Sequence, residues 1–339
     1  MTGCDSTALR INPKVILTDP PHSDLHMHTI YCDGHHTPEE MVQSAIEKGM
    51  TCIGFSGHSY VDFDPEAGMD RIREDAYRRE IARLKDVYLD RIRIYCGIEL
   101  DYETPWEGTA ADCSKISSSR SQASDFAGIL PGSETDEITG GRRTAAYYRE
   151  NFDYVIGSVH YVRLGPVPGS GDWPGSPVYL ETHTDPEVCA SPEVCAWPGS
   201  CAAVDHTPEI LEEAVRVYFQ NDFYQAAEAY YALVADVVRR TGCDIIGHFD
   251  LISKFNEKKH YFDEEDPRYI AAWKKALDQL IPTGRVFEIN TGGISRGWKS
   301  TAYPAQAMIQ YIRERGGRFL LSSDSHDCCN IGYQFIKYA

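Results

Sequence analysis

Short apolar runs rich in β-branched residues recur seven times along the chain, and each stops at a histidine or a carboxylate. The stops fall at His26 and His28, at His58, at Glu99, at His160, at His248, at Glu288 to Asn290, and at Asp324 to His326. A run of four to six apolar residues bounded by turn signals reads as a buried parallel strand. Parallel strands wound into a barrel present their carboxyl ends at one mouth, so these polar stops should share one opening.

Helical patterns alternate with the strands. Thr37-Pro38-Glu39-Glu40 supplies an N-cap, a proline at the first helical position and carboxylates in the first turn; Met41, Val42, Ala45 and Ile46 follow as an apolar face, and Gly49 as the stop. Residues 70–88 read as a charged amphipathic helix and residues 208–240 as one or two long, aromatic-rich helices. Further helices are expected over 267–280 and 303–316. Repeated β-α alternation predicts a parallel α/β barrel. Two stretches break it, about 109–144, rich in Ser, Gly, Asp and Thr, and about 165–204, rich in Pro, Gly and Ser. Both follow strands that end in ligand candidates, so they are expected to be long loop insertions over the mouth, either lids or disordered segments.

At 339 residues and 42% hydrophobic content the chain can bury a barrel-sized core, and one domain over 1–339 is expected. A formal net charge of −18 argues against nucleic acid or an acidic membrane surface as partner, although a metal-filled pocket can be locally positive. No stretch approaches the roughly 20 apolar residues of a membrane span, and the polar start Met1 to Asn12 has no signal-peptide core. The expectation is a soluble, cytoplasmic protein of undetermined oligomeric state. Eleven cysteines, an odd count, do not form the framework of a small secreted domain. Cys52, Cys96 and Cys243 lie in or beside strand runs and read as inert core thiols; Cys189, Cys195 and Cys201, six apart, lack zinc-knuckle spacing.

On an extended strand end, His26 and His28 lie two apart and face one way, so they can chelate one ion. With His58, Glu99, His160, His248, Asp324 and His326 at other strand ends, they form an imidazole and carboxylate donor set without thiolate. Such a set suits Zn²⁺, Mn²⁺ or Fe²⁺ in a hydrolytic site. The remaining histidines read more plainly: His183, His206 and His260 as solvated, His22 and His36 as neighbours of the first strand motif. Asp250 and Glu288 could each accept a hydrogen bond from a ligating imidazole.

Six segments in order carry a resemblance. They are Asp24-Leu25-His26-Met27-His28-Thr29, Gly97-Ile98-Glu99-Leu100-Asp101-Tyr102, Ile156-Gly157-Ser158-Val159-His160-Tyr161, Gly247-His248-Phe249-Asp250-Leu251, Glu288-Ile289-Asn290-Thr291 and Ser323-Asp324-Ser325-His326. They resemble the polymerase and histidinol phosphatase (PHP) family, and within it the histidinol-phosphate phosphatase branch. The resemblance runs from about residue 23 to 333, interrupted by the two insertions.

The resemblance implies a distorted (β/α)₇ barrel holding three divalent metals. By position, His26, His28, Glu99 and Asp324 would hold the first; Glu99, His160 and His248 the second; Asp33, His58 and His326 the third. Glu99, Asp324 and His326 take the catalytic roles, and a hydroxide bridging two metals would attack phosphorus without a phosphoenzyme. Lys254 and Arg296 stand where phosphate-binding side chains are implied. The implied activity is hydrolysis of L-histidinol phosphate to L-histidinol and phosphate in histidine biosynthesis. The alternatives are another small phosphomonoester or a nucleotide as substrate, and a non-catalytic metal-binding or regulatory protein.

The chain departs from the family pattern at three places. Gly57 stands where an Asp often precedes the histidine, leaving the partner that orients His58 missing or supplied elsewhere. Asp33 competes with His35 for a ligand role. The family continues with a final helix where this chain stops at Ala339, so the last strand is expected to be partly exposed.

Overall fold

A parallel sheet of seven strands carries the fold in the computed structural model, which describes residues 20–61, 64–103, 143–163 and 201–339. In chain order the strands are β1 (Ser23–Asp24), β2 (Cys52–Phe55), β3 (Arg93–Asp101), β4 (Tyr154–Ser158), β5 (Tyr161–Arg163), β6 (Cys201–Ala203), β7 (Ile245–Ile246), β8 (Val286–Asn290) and β9 (Arg318–Ser322). The sheet runs β1-β2-β3-β4-β7-β8-β9, every pair parallel, while β5 and β6 form a separate antiparallel pair. Sequential order with parallel pairing curls the sheet toward a barrel, and its two edges meet at a parallel bridge between Met27 and Ser325.

Two apolar layers result from the alternation of side chains along each strand. Leu25, Cys52, Tyr154, Ile156, Ile245, Val286 and Leu320 form one buried cluster. Neighbouring positions such as Ile53, Phe55, Val155, Ile246, Phe287 and Leu321 join the larger core with the helices. The Tyr154 ring fills space that two glycines leave free: a Cβ on Gly54 would lie 2.4 Å from its hydroxyl, and one on Gly97 would lie 2.2 Å from Cζ. Its hydroxyl donates to the carbonyls of Leu25 and Phe55, fastening β1 and β2 to β4.

Helices α1 (Pro38–Glu47), α2 (Arg71–Val87), α3 (Ala145–Asn151), α4 (Pro208–Tyr218), α5 (Phe223–Thr241), α6 (Asn256–Lys259), α7 (Pro267–Leu280), α8 (Gly292–Ser295), α9 (Gln306–Glu314) and α10 (Phe335–Tyr338) connect and cover the strands. The expected N-cap opens α1, and it proves to be a capping box: the Thr37 side chain accepts from Glu40 N–H, and Glu40 accepts from Thr37 N–H at 2.8 Å. The aromatic-rich stretch is two helices, because Gln220 and Asn221 take left-handed backbone angles and Asp222 then caps α5. Helix α9 is shorter than expected; Tyr303, the anticipated first residue, instead pairs its backbone with Asn290.

One expectation is corrected and another narrowed. Residues 201–204 do not belong to an irregular insertion: Cys201, Ala202 and Ala203 pair with Arg163, Val162 and Tyr161 and are buried. The last strand is exposed only at its start, Arg318 exposed and Phe319 half-buried, since Leu320 and Leu321 are each 4% exposed and α10 lays Phe335, 2% exposed, into the core. No helix among the described residues is long and apolar enough to cross a membrane.

Candidate metal centre

Glu99 occupies the middle of the mouth, 1% exposed, at the carboxyl end of β3. Its two oxygens face different partners. Oε2 lies 3.1 Å from His26 Nε2, 3.4 Å from His28 Nε2 and 3.1 Å from His58 Nδ1. Oε1 lies 3.4 Å from His160 Nε2 and 3.1 Å from His248 Nε2, and accepts the Ser158 hydroxyl. Asp324 Oδ1 closes the first group, 3.4 Å from His28 Nε2 and 3.8 Å from His26 Nε2. Beside it, Asp33 Oδ2 lies 3.0 Å from His326 Nε2 and 3.6 Å from His58 Nε2. Three sets of donor atoms are thus close enough to grip an ion: His28, Asp33, His58 and His326; His26, His28 and Glu99; His58, Glu99 and His160. Asp33 faces this mouth, whereas His35, its competitor, points to Asp327 at 3.1 Å with its side chain 67% exposed.

Local backbone pairing brings these side chains together. His28 N–H donates to Ser325 carbonyl at 2.8 Å and Ser325 N–H to His26 carbonyl at 3.2 Å, which sets the two ends of the sheet side by side. Asp24 locks the same junction by accepting the Ser323 and Gly332 N–H groups, each at 3.1 Å. Asp324 has φ of 50°, a left-handed conformation that short polar residues tolerate, so the chain bends where β9 ends. A tight turn returns Asp33 to His28: Cys32 and Gly34 N–H both donate to Thr29 carbonyl at 3.0 Å. Gly34 is required there, since a Cβ would sit 2.4 Å from Thr29 N.

Carboxylates hold the far nitrogens of two imidazoles. His26 Nδ1 lies 2.9 Å from Glu288 Oε2, and His160 Nδ1 lies 3.1 Å from Asp101 Oδ2. With Nδ1–H donated outward, each Nε2 presents a lone pair to a Glu99 oxygen. His160 Nε2 also lies 3.2 Å from His248 Nε2, nitrogen facing nitrogen. His28 Nε2 is buried without a hydrogen-bond partner between Glu99 and Asp324. Lone pairs converging on carboxylates repel unless a cation or proton lies among them, so the donors fit a divalent metal. Burial alone would lower His26, His28 and His160, yet surrounding carboxylates hold all three well above the ordinary imidazole value. Burial would raise Glu99, Asp33 and Asp324, and their cationic neighbours hold them well below.

A cleft opens from the centre between Asp64, Asp101, Tyr161, Asp205, Lys254 and Arg296. Arg296 Nη2 lies 2.8 Å from Asp324 Oδ2, and Nη1 donates to Asp324 carbonyl at 2.9 Å. Lys254 Nζ donates to Asp205 carbonyl at 2.6 Å. Both cations therefore line the same cleft as His58, Glu99 and His160. The sequence reading missed Asp101 and Asp205. Asp101 had a signal, lying two residues after Glu99 on the same strand and hence on the same face; Asp205, in the loop after β6, had none.

Other readings resolve plainly. Glu288 holds His26, whereas Asp250 accepts Ala305 N–H at 3.0 Å and its carboxyl is pushed up by burial to about 6. His206 and His260 are exposed. Neither flanking histidine meets the centre: His22 carbonyl accepts from Thr51 N–H, and His36 faces Cys328. Cys52 and Cys243 are buried in the core; burial pushes the Cys243 thiol up to about 11 and Cys96 up to about 12. The lid readings, with His183, Cys189 and Cys195, fall outside the described residues.

Comparison with known proteins gives this geometry a family. Residues 24–292 match the PHP domain model. A curated relative from Schizosaccharomyces pombe, named "Probable histidinol-phosphatase", is 26% identical over 311 residues, covering 88% of this chain and 77% of its own. One of the same name from Deinococcus radiodurans is 26% identical over 321 residues, covering 92% and 89%. Among solved structures, the "putative histidinol phosphatase hisK" of Listeria monocytogenes superposes with a TM-score of 0.67 at 18% identity, covering 94% of this chain and all of that one. The histidinol phosphate phosphatase of Lactococcus lactis, complexed with zinc, L-histidinol and phosphate, gives 0.52 at 18% identity, covering 91% and 87%. With a family match across most of its length and the strand ends arranged as above, the chain belongs to the PHP domain family.

Proposed function

We propose that the protein is a metal-dependent phosphomonoesterase that hydrolyses L-histidinol phosphate to L-histidinol and phosphate. The observation that carries the chemistry is the division of Glu99, with one oxygen among His26, His28 and His58 and the other against His160 and His248. One carboxylate shared in this way suits two adjacent cations. The substrate assignment is supported by the two relatives named as histidinol-phosphatases.

In this reading three divalent ions, zinc, manganese or iron, are held by His26, His28, Glu99 and Asp324, by Glu99, His160 and His248, and by Asp33, His58 and His326. Ions so held supply Lewis acidity toward the phosphoryl oxygens and lower the pKa of water toward neutrality. The protein supplies orientation. Glu288 and Asp101 keep the protons of His26 and His160 on Nδ1, away from the centre. Arg296 and Lys254 bind non-bridging phosphate oxygens and disperse the charge that grows during displacement. Ser158 steadies Glu99 through its hydroxyl. The reading carries with it a role in histidine synthesis in the cytoplasm, a reducing compartment that suits the free thiols of Cys52 and Cys243.

The test is phosphate release by protein reconstituted with Mn²⁺ or Zn²⁺, comparing histidinol phosphate with other phosphomonoesters, nucleotides and phosphodiesters. Preference for histidinol phosphate supports the reading. Release from every monoester alike would leave only the reaction class, and no release from metal-loaded folded protein would remove the enzyme.

A further inference from the structure

The imidazoles that meet at Glu99 are not held alike. His26 and His160 each rest their outer nitrogen on a carboxylate, Glu288 and Asp101. His28 instead has Cys32 Sγ at 3.5 Å from Nδ1, with Asp33 Oδ1 at 3.3 Å. We propose that Cys32 is a positioning residue for His28, its sulfur accepting Nδ1–H so that the buried Nε2 keeps its lone pair toward Glu99 and Asp324. The inference rests on the reading of His28 as a metal ligand.

Three observations carry it. His28 Nε2 is fully buried, has no hydrogen-bond partner and lies 3.4 Å from both Glu99 Oε2 and Asp324 Oδ1, so its usefulness depends on which nitrogen holds the proton. Asp33 is a poor permanent partner for Nδ1, because its other oxygen already faces His326 and His58 in the neighbouring donor set. The thiol directs its own hydrogen to the Thr29 carbonyl at 3.5 Å, which leaves sulfur lone pairs to accept Nδ1–H. Its place is fixed by the turn in which Cys32 N–H donates to Thr29 carbonyl at 3.0 Å.

Space for the sulfur comes from across the mouth. A Cβ on Gly57 would lie 3.0 Å from Cys32 Sγ and 3.1 Å from Met69 Cε. The missing side chain at Gly57 and the thiol at Cys32 are therefore two halves of one arrangement: a larger residue at 57 would push the sulfur off His28. Gly57 is the position at which the sequence left the orienting partner of His58 open. The structure fills the adjoining space with a group that serves His28.

The experiment measures metal affinity by chelator competition, with Mn²⁺ and Zn²⁺ as probes, together with kcat and KM for histidinol phosphate. Cys32→Val fills the sulfur's space with an apolar group that cannot accept. It should weaken metal binding and lower kcat by about tenfold each while KM stays within about twofold. Cys32→Ser, which restores an acceptor, should return both to within about threefold of the parent. Cys32→Val behaving as the parent, or Cys32→Ser as impaired as Cys32→Val, overturns the proposal. Gly57→Ala gives a second route if Cys32→Val fails to fold: it should weaken metal binding in the parent and add nothing in a Cys32→Ala background. Equal losses in both backgrounds would mean that the two positions are independent and would overturn it. His28→Ala separates the two levels of the argument, since unchanged metal content and activity there would remove His28 as a ligand.

Discussion

His26 on the strand extension after β1 and Glu288 on β8 meet through Nδ1 and Oε2 at 2.9 Å, both fully buried, tying the two together past the intervening β9. The carboxylate also accepts from Ser322 Oγ at 2.8 Å and from Asn290 Nδ2 at 2.9 Å, so it cannot rotate to follow the ring. Glu288→Gln should weaken metal binding about tenfold or more while leaving the fold intact. Metal analysis of the purified variant, beside its circular dichroism spectrum, checks this; full metal content would show that the pair does not orient the ligand.

Glu99→Gln replaces one oxygen with an amide nitrogen that cannot face either imidazole group as an anion. At least one ion per chain should be lost, with nearly all activity. Retained stoichiometry with reduced turnover would instead mean that Glu99 acts without bridging.

The geometry revises what Arg296 should do. Removing a phosphate-binding side chain ought to raise KM alone, but this guanidinium also grips the Asp324 carboxylate and carbonyl. Arg296→Ala should therefore raise KM about tenfold and weaken metal binding together. Lys254→Ala, whose ammonium holds the Asp205 carbonyl, should raise KM with metal content unchanged. Equal metal loss in both variants would contradict this division.

Protons and metal ions compete for the same nitrogens. His26, His28 and His160 are held well above the ordinary imidazole value, so they carry protons near neutrality, and metal binding must expel them. Affinity should rise with pH, and calorimetry in buffers of different ionisation enthalpy should show net proton release. Chelation should lower Tm, since an ion present at a hundredfold excess over its Kd stabilises by about 2.7 kcal/mol. Buffer-independent heats would count against the competition.

Tyr154 supplies a stability test away from the metals. Tyr154→Phe keeps the ring against Gly54 and Gly97 but removes the donor to the Leu25 and Phe55 carbonyls. A loss of about 1–3 kcal/mol is expected in denaturant unfolding, because buried acceptors are left unpaired.

How much of this was legible in the sequence depends on the distance over which each feature is encoded. The α1 cap lies within four residues, Thr37 to Glu40, and could be read locally; α7 runs over the expected Pro267 to Leu280 for the same reason. The strand ends could be read because each apolar run stops at a polar side chain, and parallel winding then sends the stops to one mouth. Asp205 could not be read, since its relation to Lys254 depends on β6 folding back onto β5, a pairing hidden beyond a Pro/Gly-rich stretch. Nor could the meeting of Cys32 with the space at Gly57, which arises across two loops and leaves no period in the sequence.

The Met27–Ser325 bridge closes the sheet at the very residues that flank His26, His28, Asp324 and His326. In the proposed reading two of the three donor sets draw on segments separated by almost the entire polypeptide, and neither is complete without residues 324–326. A product truncated ahead of Asp324 would keep His58, Glu99 and His160 but lose His326 from beside Asp33 and Asp324 from beside His28, and with them part of the stabilisation that metal confers.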